Sequence, residues 1–373
     1  MPDTTTYYAD LHIHSKYSRA TSKQLTPRHL AAWGWVKGID LLATGDFTHP
    51  GWLTLLQEQL EEDGRGLLRL KQTTRLEQEL PWLETSVPKA PQFMLGTEIS
   101  SIYKRGGVVR KVHNLVYLPN FDAVRRFNEH LDQVGNLEAD GRPILGLDSE
   151  HLLEIVLETD PLGFVIPAHI WTPWFSLFGS KSGFNALEEC FGSLTEHIFA
   201  VETGLSSDPA MNWHWSALDH LSLVSNSDAH SGANLAREAT IFNGPMDFAT
   251  LREGLRDRGT GVFQGTLEFF PEEGKYHHDG HRKCGLCWDP RQTRAHNGIC
   301  PVCGRPVTVG VLNRIFELAD RDHPRRPTDH PDFVSLIPLP EILSELLGVG
   351  PKSKRVQSQF CRLLDRFGPE LTL

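Results

Sequence analysis

The sequence predicts an α/β protein whose main body is a closed or nearly closed barrel. Three observations carry this. Seven short apolar runs recur through the first 230 residues. Amphipathic stretches, with apolar residues three and four apart, separate most of them. Six polar residues, His12, Asp46, Glu98, His169, Glu202 and Asp228, each stand at or just past the end of such a run. Strand–helix alternation implies a parallel sheet. In α/β barrels the C-terminal strand ends build the active site. Crowding carboxylates and imidazoles at a barrel mouth adds no stability, so this placement points to function.

In chain order, strands are expected at 7–12, 39–44, 93–98, 108–117, 164–169, 198–202 and 221–226. Helical periodicity falls at 30–36, 52–60, 121–134 and 152–157. After Phe270 the composition changes: 271–283 is polar and turn-rich, and 284–303 holds paired cysteines. A helix at 311–321, a Pro-rich connector at 324–340 and a helical pair at 341–347 and 354–367 follow. Boundaries near 268 and 310 divide the chain into a body (1–268), a cysteine module (269–310) and a helical region (311–373). No internal repeat is evident.

Composition narrows the function classes. Of the 373 residues, 39% are hydrophobic and 23% charged, and the mean hydropathy is -0.31, an ordinary globular balance. No run of 18 apolar residues exists, so no membrane span is expected. Met1-Pro2-Asp3-Thr4 has neither a basic stretch nor an apolar core, so no secretory signal is expected. Four of six cysteines form two Cys-x-x-Cys pairs, a metal-binding pattern suited to a reducing cytoplasm rather than a disulfide framework. The net charge of -10 is uneven: residues 269–373 hold 15 Lys+Arg against 13 Asp+Glu, leaving 22 against 34 in the body. An acidic body is compatible with a nucleic-acid partner if its acids serve metals.

The metal-ligand pattern begins at Asp10-Leu11-His12-Ile13-His14. Two histidines two apart on an extended strand share a face, and Asp10, on the same face, is placed to orient one imidazole. Asp46 and His49 follow the second run; then come Glu98, His113 and His169, and finally Asp228-Ala229-His230. Six imidazoles and three carboxylates suit zinc, manganese or iron. Cys284-x-x-Cys287 and Cys300-x-x-Cys303, twelve residues apart, are the spacing of a structural zinc site.

Several basic positions suggest contacts to a phosphate backbone. Lys104, Arg105, Arg110 and Lys111 flank a glycine turn expected inside a β-hairpin. Gly348-Val349-Gly350 with Lys352, between two helices, resembles a helix–hairpin–helix that aims backbone N–H groups at a phosphate. Lys181 and the aromatics Trp171 and Trp174 lie on the loop after the fifth strand; Phe178 on the same loop reads as packing.

The ordered set from His12 to His230 resembles the PHP (polymerase and histidinol phosphatase) superfamily, which implies a distorted (β/α)7 barrel with a metal cluster at the strand ends. The resemblance implies that one metal takes His12, His14, Glu98 and Asp228, the catalytic core. A second shares Glu98 and adds His113 and His169, and a third takes His230, His49 and Asp46. Two positions depart from the common pattern: Asp46 and His49 are three apart rather than adjacent, and Arg19 and Ala20 stand where many members place a further ligand. The implied count is therefore two or three divalent metals, zinc or else manganese or magnesium, besides one structural zinc.

A closer resemblance, over nearly the whole chain, is to the endonuclease Q family of PHP-type DNA repair enzymes. It rests on runs such as Ala9-Asp10-Leu11-His12-Ile13-His14-Ser15, Pro167-Ala168-His169-Ile170-Trp171-Thr172-Pro173-Trp174-Phe175 and Val201-Glu202-Thr203-Gly204-Leu205-Ser206-Ser207-Asp208-Pro209. It implies hydrolysis of the phosphodiester 5′ to hypoxanthine, uracil, xanthine or an abasic site in DNA. The alternative is a PHP-type phosphatase acting on a small phosphomonoester.

Overall fold

The computed structural model describes residues 5–373; the N-terminal stretch read above for a signal lies outside them. Each of the seven expected apolar runs contains a strand. Thr6–Asp10 lies parallel to Leu41–Ala43, which lies parallel to Gln92–Met94. Val108–Tyr117 pairs with Gly96–Arg105 on one side and Phe164–Pro167 on the other. Ala200–Glu202 lies parallel to Ser222–Val224. Most of these strands are buried on both faces, which is why they read as unbroken apolar runs rather than alternating ones.

The pairing departs from a wholly parallel sheet. Gly96–Arg105 and Val108–Tyr117 form a long antiparallel hairpin around Gly106 and Gly107, both in the left-handed region that glycine tolerates. Two strands absent from the sequence reading, Ala239–Asn243 and Phe263–Glu268, pair antiparallel beside Thr6–Asp10. Their polar and glycine positions hide the apolar signal. The run at 93–98 divides at Leu95, so Gln92–Met94 joins an eight-stranded sheet while Gly96–Arg105 joins a four-stranded one.

Side chains from these strands meet in one inner cluster. Tyr7, Ala9 and Leu11 alternate inward from the first strand and pack with Leu41, Ala43, Met94, Leu115, Tyr117, Phe164, Ile166, Ala200, Val224 and Phe242. The Tyr117 hydroxyl donates to the Leu11 carbonyl (2.9 Å), tying the floor of this cluster to the segment that carries His12. The helices Pro27–Lys37, Pro50–Gln59, Phe121–Asp132 and Ser149–Thr159 cover the outer faces and bury a second, larger core. Among the described residues, no helix is long and apolar enough to cross a membrane.

The C-terminal region packs on the body. Phe333–Ser335 extends the main sheet beside Phe263–Glu268. Helix Lys354–Phe367 lays Phe360 against Trp82, and the buried Lys37 ammonium meets Glu370 at 2.7 Å. Helix Val311–Leu318 reaches the loop after the fifth strand, where Arg314 donates to the carbonyls of Phe178 (2.9 Å) and Phe184 (3.1 Å) and to Asn185 Oδ1 (2.6 Å). Three charge-assisted bonds from one guanidinium fasten this loop. Arg314→Ala is expected to cost about 2 kcal/mol in urea unfolding and to expose the loop at 171–185 to limited proteolysis; an unchanged midpoint and cleavage pattern would show that the loop holds itself.

Candidate active site

The strand ends converge on Glu98. This carboxylate is buried and uses its two oxygens on opposite sides. Oε1 lies 2.5 Å from His113 Nδ1 and 3.2 Å from His169 Nε2; Oε2 lies 3.3 Å from His14 Nε2 and 3.6 Å from His12 Nε2. Asp228 Oδ1 joins the second side at 3.0 Å from His14 Nε2 and 3.6 Å from His12 Nε2. Two groups able to hold a metal ion therefore meet at one residue: His12, His14 and Asp228, and Glu98, His113 and His169. Ligands around a tetrahedral ion with bonds of about 2.1 Å stand about 3.4 Å apart, which these spacings match. The Nε2 atom of His12 is buried without a hydrogen-bond partner, although it faces two carboxylates. An unmet nitrogen aimed at paired oxygens is the donor set of a cation site.

A second set of residues aims the ligands. Both Glu202 oxygens lie on His12 Nδ1 (3.0 and 3.1 Å), and Asp46 accepts from His14 Nδ1 (3.1 Å). Each carboxylate holds its ring with Nε2 turned to the centre. Asp46 is itself held by the Ser15 amide (2.7 Å) and the Ser18 hydroxyl (2.8 Å), Glu202 by Asn226 (2.9 Å) and the His169 amide (2.8 Å). Asp46, His169 and Asp228 all adopt positive φ (49°, 30° and 47°), a costly backbone for these residue types, at the turns that leave the strands.

The charges are strongly coupled. Against the cost of burial, Glu202, Asp228 and Glu98 hold the His12 imidazole well above its usual range; Asp228, Asp46 and Glu98 do the same for His14. His113 goes the other way: burial outweighs Glu98 and pushes it down to about 4. Glu98, despite burial, is held well below the usual carboxylate range by His113, Arg142 and His12. Arg142 Nη1 sits 3.0 Å from Glu98 Oε2. No pattern in the sequence marked Arg142, which stands in an irregular turn, and Glu202 stood out only as a strand end.

The structure redistributes several expected roles. His49 does not meet His230 and Asp46 as a third group: its Nδ1 accepts from the Gly51 amide (3.2 Å) as a helix cap and its ring lies on Tyr17 (4.2 Å). Asp46 is spent on His14. His230 stays near the centre, with its ring 4.6 Å from that of His14 and Nδ1 3.5 Å from Asp228 Oδ1. Asp10 orients no imidazole; it accepts from the Ser227 (3.0 Å) and Ala236 (3.1 Å) amides and ties the last site loop to the first strand. Trp171 is buried and donates to Asn212 (2.7 Å), so it packs rather than stacks on a base, as does Phe178. Arg105 is engaged by Asp148 and Glu150 (2.8 Å each) and Arg110 by the Gly183 carbonyl and the Phe184 ring, so both brace the fold. Lys111 lies over Phe175 (5.1 Å). Lys104, Lys181 and Lys352 are exposed; Gly348 (φ 63°) ends its helix in the left-handed region, and Gly350 has open space around it.

A cavity of 670 Å³ opens beside the centre. His113, His169, Glu202 and Asp228 form its floor; Arg142 and Arg237 supply charge, and Trp174, Phe175, Phe269 and Tyr276 form its rim. Ser225 and Thr203 donate to Glu268 (3.1 and 3.4 Å), which is fully buried, as is Glu238. Burial pushes Glu268 up to about 8, and burial together with the Glu268 charge raises Glu238 well above the usual carboxylate range. Because the folded values lie above those of the unfolded chain, their contribution to stability is full in acid and is lost as pH rises through about 8. The thermal midpoint is expected to fall from about pH 5 to about pH 8, and to fall less in Glu268→Gln; parallel profiles would remove this pair as the cause.

The cysteine module differs from expectation in one ligand. His281, Cys284, Cys300 and Cys303 place donor atoms within 4.8 Å of one another, and Cys287 is not among them. Cys303 Sγ lies 3.3 Å from His281 Nδ1. Gly285, Gly298 and Gly304 take left-handed turns around them. Three thiolates and an imidazole suit tetrahedral zinc. Zinc content measured after dialysis is expected to survive Cys287→Ser and to be lost in Cys300→Ser and His281→Ala; loss in Cys287→Ser with retention in His281→Ala would restore the four-cysteine site.

No family model matches the chain. Over 98% of its length it is 31% identical to the uncharacterized protein YqxK of Bacillus subtilis, of which it covers 88%. It superposes on the lesion-specific endonuclease PfuEndoQ of Pyrococcus furiosus with a TM-score of 0.82 and 32% identity, covering 98% of this chain and 84% of that one. Against endonuclease Q in complex with a 27-mer duplex substrate carrying an abasic lesion at the active site, the TM-score is 0.83 and the identity 31%, over 98% and 85% of the two chains. On this whole-length agreement, the chain belongs to the endonuclease Q family.

Proposed function

We propose that this chain is a metal-dependent DNA repair endonuclease that hydrolyses the phosphodiester 5′ to a deaminated base (hypoxanthine, uracil or xanthine) or an abasic site. The observation that carries the reading is Glu98, with one oxygen on each histidine group, in contact with His113 and His169, which line a cavity of 670 Å³. That volume falls within the range of about 300–1,000 Å³ typical of ligand pockets. It suits a single extruded nucleotide, whose flipping from a duplex costs a few kcal/mol and least at a mispair. The relatives named above support DNA as the partner.

His12, His14, Glu98 and Asp228 would hold one divalent ion, and His113 and His169 a second across Glu98; His230 stands ready at the edge. Bound there, such ions, zinc or else manganese or magnesium, supply Lewis acidity that activates water and offsets charge on the phosphoryl oxygens. The chain's own residues do the rest. Glu202 and Asp46 keep His12 and His14 aimed, and Arg142 keeps Glu98 ionised while presenting its remaining N–H groups to the cavity. Arg237, held by the Ser227 carbonyl (2.9 Å), adds a second cation at the phosphate. Trp174, Phe269 and Tyr276 exclude water from the rim.

In this reading the strands around the inner cluster are the walls of a distorted (β/α)7 barrel within residues 1–268, 269–310 is a zinc module, and 311–373 a helical grip. Gly348, Gly350 and Lys352 would meet a DNA phosphate, with Lys104 and Lys181 flanking the cut strand. The enzyme would work in the reducing cytoplasm.

The test pairs duplexes carrying hypoxanthine, uracil or an abasic site with a small phosphomonoester, histidinol phosphate, in the presence of Mg²⁺ or Mn²⁺. Cleavage 5′ to the lesion is expected, leaving a 3′-hydroxyl. His12→Ala and Asp228→Ala are expected to lose at least 100-fold in rate while still binding DNA, and Glu202→Gln to lose about 10–100-fold. Hydrolysis of the phosphomonoester alone would overturn the endonuclease reading in favour of a phosphatase.

A further inference from the structure

The zinc module carries cations that the fold does not use. Positions 282–305 hold Arg282, Lys283, Arg291, Arg294 and Arg305 against a single acid, Asp289. All five are exposed, and among the described residues none forms an ion pair, in contrast to Arg105 and Arg314. In a chain of net charge -10 this is a local positive field.

A second cavity, of 460 Å³, opens under that field. Lys275, Arg282 and Leu286 line it, and it shares a wall with the active-site cavity: Trp174, Gly274, Lys275 and Tyr276 face both. Trp174 is 42% exposed and stands edge-on to Tyr276 with ring centroids 6.5 Å apart, while Lys275 Nζ lies 4.9 Å from the Tyr276 centroid. Of the two acids in this wall, Asp279 is taken by the Gly310 amide and Asn313 (2.6 Å each), and Glu272 is exposed to solvent. Exposed aromatic faces beside unpaired cations are the pattern that binds unstacked nucleotides, bases on the rings and phosphates on the charges.

We infer that this second cavity takes the nucleotide adjacent to the lesion nucleotide on the cut strand, its base against Trp174 and Tyr276 and its phosphate against Lys275 and Arg282. The inference rests on the endonuclease reading above. Continuity of the strand argues for this occupant, because a backbone leaving the first cavity over the Trp174–Tyr276 ridge enters the second directly. The zinc module then acts as the far wall of an extended strand-binding site and not only as a fold staple.

The test uses the full chain and abasic-site duplexes with 2-aminopurine placed one position 5′ to the lesion, one position 3′, or opposite it. In single-turnover stopped flow with Mg²⁺ or Mn²⁺, one flanking reporter is expected to change at least twofold in fluorescence before the cut. Trp174→Ala is expected to abolish that change. Arg282→Glu is expected to weaken DNA binding and to lower the slope of log Kd against log salt by about 0.9, one phosphate contact. Two silent flanking reporters with normal cleavage would overturn the subsite and leave the endonuclease reading standing, as would a response confined to the reporter opposite the lesion. Failure to cut any lesion duplex would strike the endonuclease reading itself.

Discussion

The whole site depends on placing the buried Glu98 carboxylate among four imidazoles and a guanidinium. An isolated charge at this depth costs several kcal/mol. Here His12, His14, His113, His169 and Arg142 stand within 2.5–3.6 Å of it. No one strand supplies this company. The five partners come from the first strand end, the hairpin, the turn at 142 and the end of the fifth strand, so compensating one charge requires all these segments to close on one point. His12 and His14, held above their usual range, balance the carboxylates of Glu98, Asp228, Asp46 and Glu202. A divalent cation would replace those protons, which makes metal affinity fall with acidity.

Beneath this lies an arrangement that spends further buried carboxylates on orientation. Glu202 and Asp46 fix two rings, and Asp10 fastens the loop carrying Asp228 and His230 to the first strand. These bonds also sustain the positive φ of Asp46, His169 and Asp228. Conformations that cost of order 1–3 kcal/mol persist only where the surroundings over-determine them. The strained turns and the orienting acids are thus two sides of one device, which points side chains inward from turns too sharp for an ordinary backbone.

The zinc module and the C-terminal helices are coupled to this centre through the loop after the fifth strand. Ser180 donates to the Val309 carbonyl (2.9 Å), Arg314 clamps the loop carbonyls, and Asp279 joins the module to the helix at 311. Trp174 and Tyr276, one from each partner, meet over the cavity mouth. The fold of the cysteine module therefore sets one edge of the pocket in which the chemistry would occur.

The sequence by itself determined seven of the strands and the order in which His12, His14, Glu98, His113, His169 and Asp228 stand at or near their ends, because burial on both faces leaves unbroken apolar runs and because His12-x-His14 on an extended segment has only one geometry. It also determined the hairpin turn at Gly106-Gly107 and the two C-terminal helices, where glycine placement and helical periodicity are local signals. Tertiary structure decided what local signals do not carry. It put Arg142 on Glu98 from 44 positions away, turned His49 into a helix cap, buried Trp171, and exchanged Cys287 for His281 at the zinc group. It also paired Ala239–Asn243 with the first strand and Phe263–Glu268 with Ala239–Asn243. Each of these outcomes turns on which buried polar group is nearest in space to another, and desolvation makes that pairing obligatory while the chain sequence leaves the distance between partners unstated.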